Sequence, residues 1–160
     1  ESGFSLPRLI QTDAAINPGN SGVGFAVPVN AVKRVVPSLI ATGRYADPWL
    51  GLTATSVTPL LAEALDLPVQ QGVLVQSVVE NGPADKFGLL GSDRQVEFEG
   101  TLLDAGGDVI VALDGVALQD MDDLIVHLAE TRVGQVVTLT VLRDGAERTV
   151  EVTLEERPAR

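Results

Sequence analysis

The chain has little of several residue types on which common protein chemistries depend. It contains no cysteine, which excludes disulfides, thiolate metal sites and a cysteine nucleophile. Aromatic residues make up only 4% of its 160 residues, so a core has to be built from Val, Leu, Ile and Ala. The single histidine, His127, means that at most one imidazole is available for catalysis. No apolar stretch approaches the length of a membrane span.

The charge is mainly acidic and is unevenly distributed. The net charge is −11, yet residues 1–46 carry four basic and two acidic residues, whereas the remainder carries 7 basic and 20 acidic ones. A surface this acidic repels phosphate, so nucleic acid is not an expected partner. A hydrophobic content of 45% with 21% charged residues is typical of a globular chain, long enough for one domain, or for one domain and a fragment.

One short stretch carries a possible catalytic centre. Residues 12–21 have the sequence Thr-Asp-Ala-Ala-Ile-Asn-Pro-Gly-Asn-Ser. A glycine two positions before a serine lets the backbone turn tightly and approach a substrate. The backbone amides of Gly19 and Ser21 can then converge on a developing oxyanion. Gly-x-Ser alone is common in turns, but the ten-residue string is much more specific.

This string resembles the nucleophile segment of the HtrA (Deg) family of trypsin-like serine proteases. The resemblance implies that Ser21 is the nucleophile and that Gly19 and Ser21 form the oxyanion hole. It places Ala15, Ile16 and Val23 in the substrate pocket. Because none of the pocket residues is charged, we expect a small aliphatic residue before the cleaved bond.

The sequence after Ser21 departs from the family pattern. The family continues with Gly-Gly-Pro-Leu, whereas residues 22–28 here resemble a later strand of the same protease domain. Either the intervening strand and loop are deleted, or a segment is absent from the residues given. Ser21 is then either the nucleophile or a serine from the far side of the gap.

The other two members of a serine-protease triad are not evident in the chain. In the resembled family the catalytic His and Asp precede the serine, whereas His127 follows it, and Asp13 belongs to the nucleophile motif itself. We therefore predict that this chain alone has no peptidase activity. No cofactor or metal is expected, because the acidic residues at 104–108 lack calcium-loop spacing.

Residues 1–46 have the pattern of a fragment of a larger β domain. Strands are predicted at 9–12 and 22–29, followed by a helix with Asn30 as its N-cap and Gly43 at its end. Because residues 1–46 contain too few apolar residues to bury a core easily on their own, this segment needs a partner surface.

From Asp47-Pro48 onward the pattern changes to short strands and short helices. The sequence predicts strands at 49–53, 72–79 and 108–113, helices at 58–65, 82–89 and 120–132, and a hairpin of 136–142 with 148–154. With Trp-Leu-Gly-Leu at 49–52, Gly-Pro-Ala-Asp at 82–85 and Gly-Asp-Val-Ile at 107–110, this order resembles a PDZ domain of the HtrA type. Residues 91–106 enlarge a connection that is usually a tight turn, and they predict an extra hairpin.

The PDZ resemblance implies a binding groove for peptide C-termini. Backbone amides at 49–52 would hold the terminal carboxylate, and the peptide would add a strand to the sheet edge. Leu50 and Leu52 would enclose an apolar last side chain, and one stripe of the helix at 120–132 would form the other wall. The predicted peptide-binding residues are Trp49, Leu50, Gly51, Leu52, Met121, Ile125 and Leu128.

We therefore predict a mainly β chain. Residues 1–46 are a C-terminal fragment of a trypsin-like β-barrel domain, and residues 47–160 are a PDZ domain with two or three short helices. The family resemblance implies a serine endopeptidase of protein quality control, located outside the cytoplasm in the bacterial envelope or periplasm. It acts on unfolded chains and forms trimer-based homo-oligomers. The alternative function is a non-catalytic PDZ module that only binds peptides.

Overall fold

The computed structural model of the protein describes residues 10–12, 24–26, 29–43 and 46–158. The chain divides into two compact units, Glu1–Ala46 and Asp47–Arg160. Within the described residues, none of the helices combines the length and the apolar character needed to cross a bilayer.

The first unit contains two short strands and one helix in its described parts. The strands are β1 (Ile10–Thr12) and β2 (Gly24–Ala26), and the helix is α1 (Val29–Thr42). The two strands pair antiparallel, with Gln11 opposite Phe25. Both strands lie within the stretches that the sequence predicted.

Helix α1 differs from the prediction at its beginning. It starts at Val29, so Asn30 lies inside the first turn and the predicted N-cap is wrong. The helix ends as predicted at Gly43, which has a φ of +73° and donates its N–H to the Leu39 carbonyl at 2.9 Å.

The second unit contains ten strands and three helices among its described residues. Its helices are α2 (Pro59–Ala64), α3 (Pro83–Lys86) and α4 (Met121–Ala129). Its strands are β3 (Pro48–Trp49), β4 (Leu52–Ser56), β5 (Val73–Val78), β6 (Arg94–Phe98), β7 (Thr101–Ala105), β8 (Val109–Leu113), β9 (Val116–Ala117), β10 (Val136–Arg143), β11 (Ala146–Thr153) and β12 (Glu155–Glu156).

Six of these strands form one antiparallel sheet. Its order is β11-β10-β8-β5-β4, and β9 pairs with β8. Two tight turns hold the hairpins β8–β9 and β10–β11, and in each a positive-φ aspartate precedes a positive-φ glycine, at Asp114-Gly115 and Asp144-Gly145. This is the backbone that Asp-Gly favours between paired strands. Strand β12 pairs with β3, a contact that the sequence did not predict.

The two faces of this sheet bury separate apolar clusters. Side chains of a strand alternate between faces, so Val73 and Val75 of β5 pack on one face and Leu74 packs on the other. The larger cluster includes Ala84 of α3 and the fully buried Leu124 of α4. The smaller cluster, around Leu74, is covered by α2 and the chain that follows it. Helix α4 therefore packs on the face opposite α2.

A buried ion pair joins distant parts of the second unit. Asp108 is fully buried, and both of its carboxylate oxygens accept hydrogen bonds of 2.7 Å from the Arg143 guanidinium. The carboxylate also accepts from the Leu90 N–H at 2.9 Å, and Arg143 donates to the Gly88 carbonyl at 2.7 Å. The hydrogen bonds to Asp108 raise the pKa of Arg143 above its ordinary value. The pair thus fixes the chain after α3 against the ends of β8 and β10.

Residues 94–105 form the hairpin that the sequence predicted. Strands β6 and β7 pair antiparallel from Arg94 opposite Ala105 to Phe98 opposite Thr101, as a two-stranded sheet of their own. The Asp104 carboxylate accepts from the Gln76 side-chain amide at 3.3 Å, which ties the hairpin to β5. That the segment is an insertion relative to other PDZ domains stays a prediction.

Candidate functional site: an open strand edge beside a helix

Strand β4 and helix α4 lie side by side at one edge of the main sheet. Strand β4 is the last strand of the sheet, paired with β5 along one edge, and no other described strand pairs with its second edge. Helix α4 contacts both β3 and β4. An unpaired strand edge offers a row of backbone donors and acceptors to an added strand. The open edge and the neighbouring helix together form a candidate peptide groove.

The loop between β3 and β4 directs two backbone amides away from α3 and from the end of β5. The carbonyl of Leu50 accepts from Ala84 N–H at 2.8 Å, and that of Gly51 accepts from Val79 N–H at 2.8 Å. Because a trans peptide unit holds C=O and N–H in opposite directions, the N–H groups of Gly51 and Leu52 point away from these partners. Two successive amides are thus positioned to bind an anionic group such as a carboxylate.

Gly51 is required by its backbone angle and by its surroundings. Its φ is +77°, a conformation that residues with a Cβ rarely adopt. A Cβ at this position would lie 3.0 Å from Cδ of Pro83 and 3.4 Å from Cα of Gly82. The loop is therefore packed directly on the beginning of α3, which holds the two outward amides in place.

The predicted apolar residues of the groove differ in how far the core buries them. Leu50 is only 3% exposed, so it contributes to the groove mostly through its backbone. Leu52, Met121 and Leu128 are partly buried and pack against the larger core cluster. Ile125 is also half-buried. The structure thus brings the β4 and α4 residues together around one edge, with apolar surface on both sides.

The far end of the groove contains one contact that the sequence did not predict. Ser56, the last residue of β4, accepts a hydrogen bond from the Met121 N–H of α4 at 3.0 Å. Asp120 caps the same helix by accepting from Asp123 N–H at 3.0 Å. A surface cleft of about 790 Å³ begins at this end and includes Ser56 and Asp120 in its lining. No local signal marks Ser56, because its partner is 65 residues away.

The predicted catalytic residues lie outside the described residues. These are Gly19 and Ser21 of the nucleophile motif and the pocket residues Ala15, Ile16 and Val23. The described strands on either side of this segment, β1 and β2, pair with each other.

The one histidine of the chain lies in α4. Its Nδ1 is 2.8 Å from the backbone carbonyl of Asp123, which can only accept, so Nδ1 carries the proton of that bond. His127 therefore makes a contact within its own helix.

Comparisons with known proteins agree with this geometry. The family model described as "PDZ domain" matches residues 48–154. A protein of Marinomonas sp. (strain MWYL1) named "Probable periplasmic serine endoprotease DegP-like" is 31% identical over 188 aligned positions, which include 98% of this chain and 37% of that protein. "Protease Do-like 1, chloroplastic" of Arabidopsis thaliana is 33% identical, over 98% of this chain and 40% of that protein.

A solved structure of an HtrA-type protease is also similar to this chain. The structure described as "HtrA-type protease AlgW with decapeptide" is 32% identical, has a TM-score of 0.68, and covers 95% of this chain and 42% of that one. The chain thus spans well under half the length of these relatives. The predicted fold class, mainly β with a protease fragment and a PDZ domain, is confirmed.

Proposed function

The chain belongs to the PDZ domain family and to the HtrA (Deg) group of serine proteases, and we propose that its second unit binds the C-terminal ends of apolar peptides. The observation that carries this proposal is the pair of amides at Gly51 and Leu52, which point away from α3 and the end of β5 beside the unpaired edge of β4. A peptide C-terminus supplies both the carboxylate for the amides and the backbone for the edge.

Two synthetic peptides test this proposal. Both end in the same apolar residue, such as valine, and one has a free carboxylate while the other is amidated. Trp49, the only tryptophan, adjoins the loop and reports binding through its fluorescence. We expect the free acid to bind at least about tenfold more tightly, since a hydrogen-bonded charge is lost in the amide. Equal affinities for the two peptides would contradict carboxylate binding.

For the complete protein we propose a serine endopeptidase that acts on unfolded polypeptides. In it, Ser21 is the nucleophile, Gly19 and Ser21 donate to the oxyanion, and Ala15, Ile16 and Val23 line the substrate pocket. The triad His and Asp come from residues that this chain does not contain, because its only histidine lies in α4. Pure chain should therefore show no inhibitor-sensitive hydrolysis of unfolded casein, and measurable hydrolysis would overturn this assignment.

The aligned length supports the proposed break after the nucleophile motif. The Marinomonas relative aligns over 188 positions, whereas the chain has 160 residues, so at least 28 of those positions have no residue here. We place this gap directly after Ser21, where the family pattern stops. The periplasmic or other extracytoplasmic location, suggested by the names of the bacterial relatives, and the trimer-based assembly are part of the same proposal.

The second candidate function is a peptide-binding module without catalysis. It is favoured by the concentration of buried side chains in the second unit, where all the described core residues lie. The casein assay separates the two functions when it is repeated on a longer chain, in which this segment follows the residues that precede it in the relatives. Hydrolysis by the longer chain favours the endopeptidase, and no hydrolysis favours the peptide-binding module.

A further inference from the structure

We propose that Arg143 is a positioning residue for the carboxylate site, because it anchors the end of α3 while the beginning of α3 orients the Gly51 amide. Arg143 is the last residue of β10 and hydrogen-bonds Asp108 and Gly88, so it acts on the loop through α3. The inference rests on the proposed function, since it concerns how an amide is held ready for a peptide carboxylate.

The beginning of α3 sets the direction of the Gly51 amide. Ala84, the second residue of α3, donates its N–H to the Leu50 carbonyl at 2.8 Å. That carbonyl and the Gly51 N–H belong to one planar peptide unit, so the orientation of the first fixes that of the second. Gly82, the N-cap of α3, donates to the Val79 carbonyl at 2.8 Å. A displacement of α3 therefore changes the direction in which the Gly51 amide points.

Helix α3 is too short to hold this position by itself. It contains only the four residues Pro83–Lys86, and a helix of one turn is not stable without tertiary contacts. Ala84 and Leu89 are buried and fix the helix against the larger core cluster. Apolar contacts have no preferred direction, so the orientation of α3 depends more on the hydrogen bonds at its two ends.

The buried ion pair supplies the hydrogen bonds after the end of α3. The chain turns there at Gly88, which has a φ of +80° and open space where a side chain would lie. The Gly88 carbonyl accepts from Arg143 Nη2 at 2.7 Å, and the same nitrogen donates to Asp108. Leu90 is held by Asp108 twice, through its N–H to the carboxylate and through its carbonyl to the Asp108 N–H at 3.0 Å. The rigid guanidinium thus joins the end of α3 to a fully buried carboxylate.

A second ion pair on α3 lies at the surface and provides a comparison. Lys86 Nζ is 2.6 Å from Glu155 Oε1, and the two side chains are 47% and 43% exposed. Exposed pairs contribute little to the position of an element, because water competes for both charges and the side chains remain mobile. We therefore expect the buried anchor at Arg143, and not the exposed pair at Lys86, to orient α3.

The test measures the preference for a free carboxylate in three variants. Arg143→Lys keeps a positive charge beside Asp108 but lacks the planar fork that also reaches Gly88. Lys86→Ala is the matched control on α3 itself. Leu67→Ala is the control for a general loss of stability, because Leu67 packs in the smaller cluster on the opposite face of the sheet. Each protein is titrated with the free-acid and amidated peptides described above.

We expect wild type, Lys86→Ala and Leu67→Ala each to bind the free acid at least about tenfold more tightly than the amide. In Arg143→Lys this ratio should fall to about threefold or less, since a charge-assisted hydrogen bond weakens steeply when its direction changes. The amidated peptide should bind this variant within about twofold of its wild-type affinity, because the strand edge is unchanged. Hydrogen exchange of the Ala84 amide should be faster in Arg143→Lys than in Lys86→Ala.

The outcomes separate this inference from the proposed function. If wild type binds the two peptides equally, the proposed function fails and the inference fails with it. If wild type prefers the free acid and Arg143→Lys keeps that preference, the inference is wrong while the groove stands. A preference reduced as much in Leu67→Ala as in Arg143→Lys, or loss of both peptides in Arg143→Lys, would show a general effect on folding and would contradict a positioning role.

Discussion

Helices α1 and α4 carry similar apolar stripes in the two units of the chain, yet they differ in what covers them. In α4, Leu124 is fully buried in the larger core cluster. In α1 most of the large apolar residues are exposed, from Val36 at 39% to Ile40 at 81%, and Val35 is half-buried. None of the described side chains of the first unit is buried. The difference shows that helical periodicity predicts a helix but does not supply the surface that stabilises it.

The second unit derives its stability from a core and from one buried ion pair that the described parts of the first unit lack. This contrast agrees with the confirmed fold class of a protease fragment and a PDZ domain. The bounds of the fragment, residues 1–46, stay a prediction. Each of the following predictions compares a substitution in the second unit with a matched substitution at a site that is not buried.

The largest expected effect is at the buried ion pair. Asp108→Ala removes the buried carboxylate that accepts from the Arg143 guanidinium and from the Leu90 N–H, which is expected to lower the free energy of unfolding by about 3–5 kcal/mol. Asp93→Ala is the control, because Asp93 and Arg94 form an exposed pair at 3.5 Å, and losing such a pair costs less than about 1 kcal/mol. Urea unfolding measures the free energy of unfolding of both variants. Equal losses would mean that the buried pair stabilises the fold no more than the exposed pair does.

Truncation of one leucine in each helix compares the two units directly. Leu124→Ala in α4 empties a buried site and should reduce the free energy of unfolding by roughly 2–5 kcal/mol. Leu39→Ala in α1 removes a side chain that is 44% exposed, and we expect a change of at most about 1 kcal/mol. Thermal unfolding followed by circular dichroism measures this, and a Leu39→Ala effect as large as that of Leu124→Ala would show that α1 has a buried partner.

A smaller loss of stability is expected when alanine replaces either of two glycines that have similar backbone angles. Gly43 of the first unit has a φ of +73° and open space around it, whereas Gly51 of the second unit has a φ of +77° and lies against Pro83. Alanine costs on the order of 1 kcal/mol at Gly43 through its backbone angle alone, and more at Gly51, where Pro83 must also move. Gly51→Ala should also weaken peptide binding, and unchanged affinity would argue against the loop as the carboxylate site.

Local signals predicted much of the second unit. Thr58 before Pro59 predicted the start of α2, and the structure shows its hydroxyl accepting from Leu61 N–H at 3.2 Å. Asp120 likewise predicted the start of α4. The sequence predicted the end of α4 too late, at residue 132. The helix ends at Ala129, and the Thr131 hydroxyl beyond it donates to the Leu128 carbonyl at 2.6 Å.

Contacts between distant residues were not predictable in this way. The predicted strand at 49–53 is in fact divided between β3 and β4, since Gly51 turns toward Pro83. The Asp108–Arg143 pair joins residues 35 apart, and the hydrogen bond between Ser56 and Met121 joins residues 65 apart. The groove residues were found from a family motif, whereas the contacts that hold the groove in shape depend on the folded chain.

Amide chemical shifts measured by NMR test the peptide groove most directly. The second unit is titrated with an apolar peptide that has a free carboxylate, and again with its amidated form. The account predicts that the Gly51 and Leu52 amide signals move most with the free acid, toward the positions of strongly hydrogen-bonded amides, and move little with the amidated peptide. If these two signals stay in place while residues around α2, on the opposite face of the sheet, respond, the groove between β4 and α4 is not the binding site.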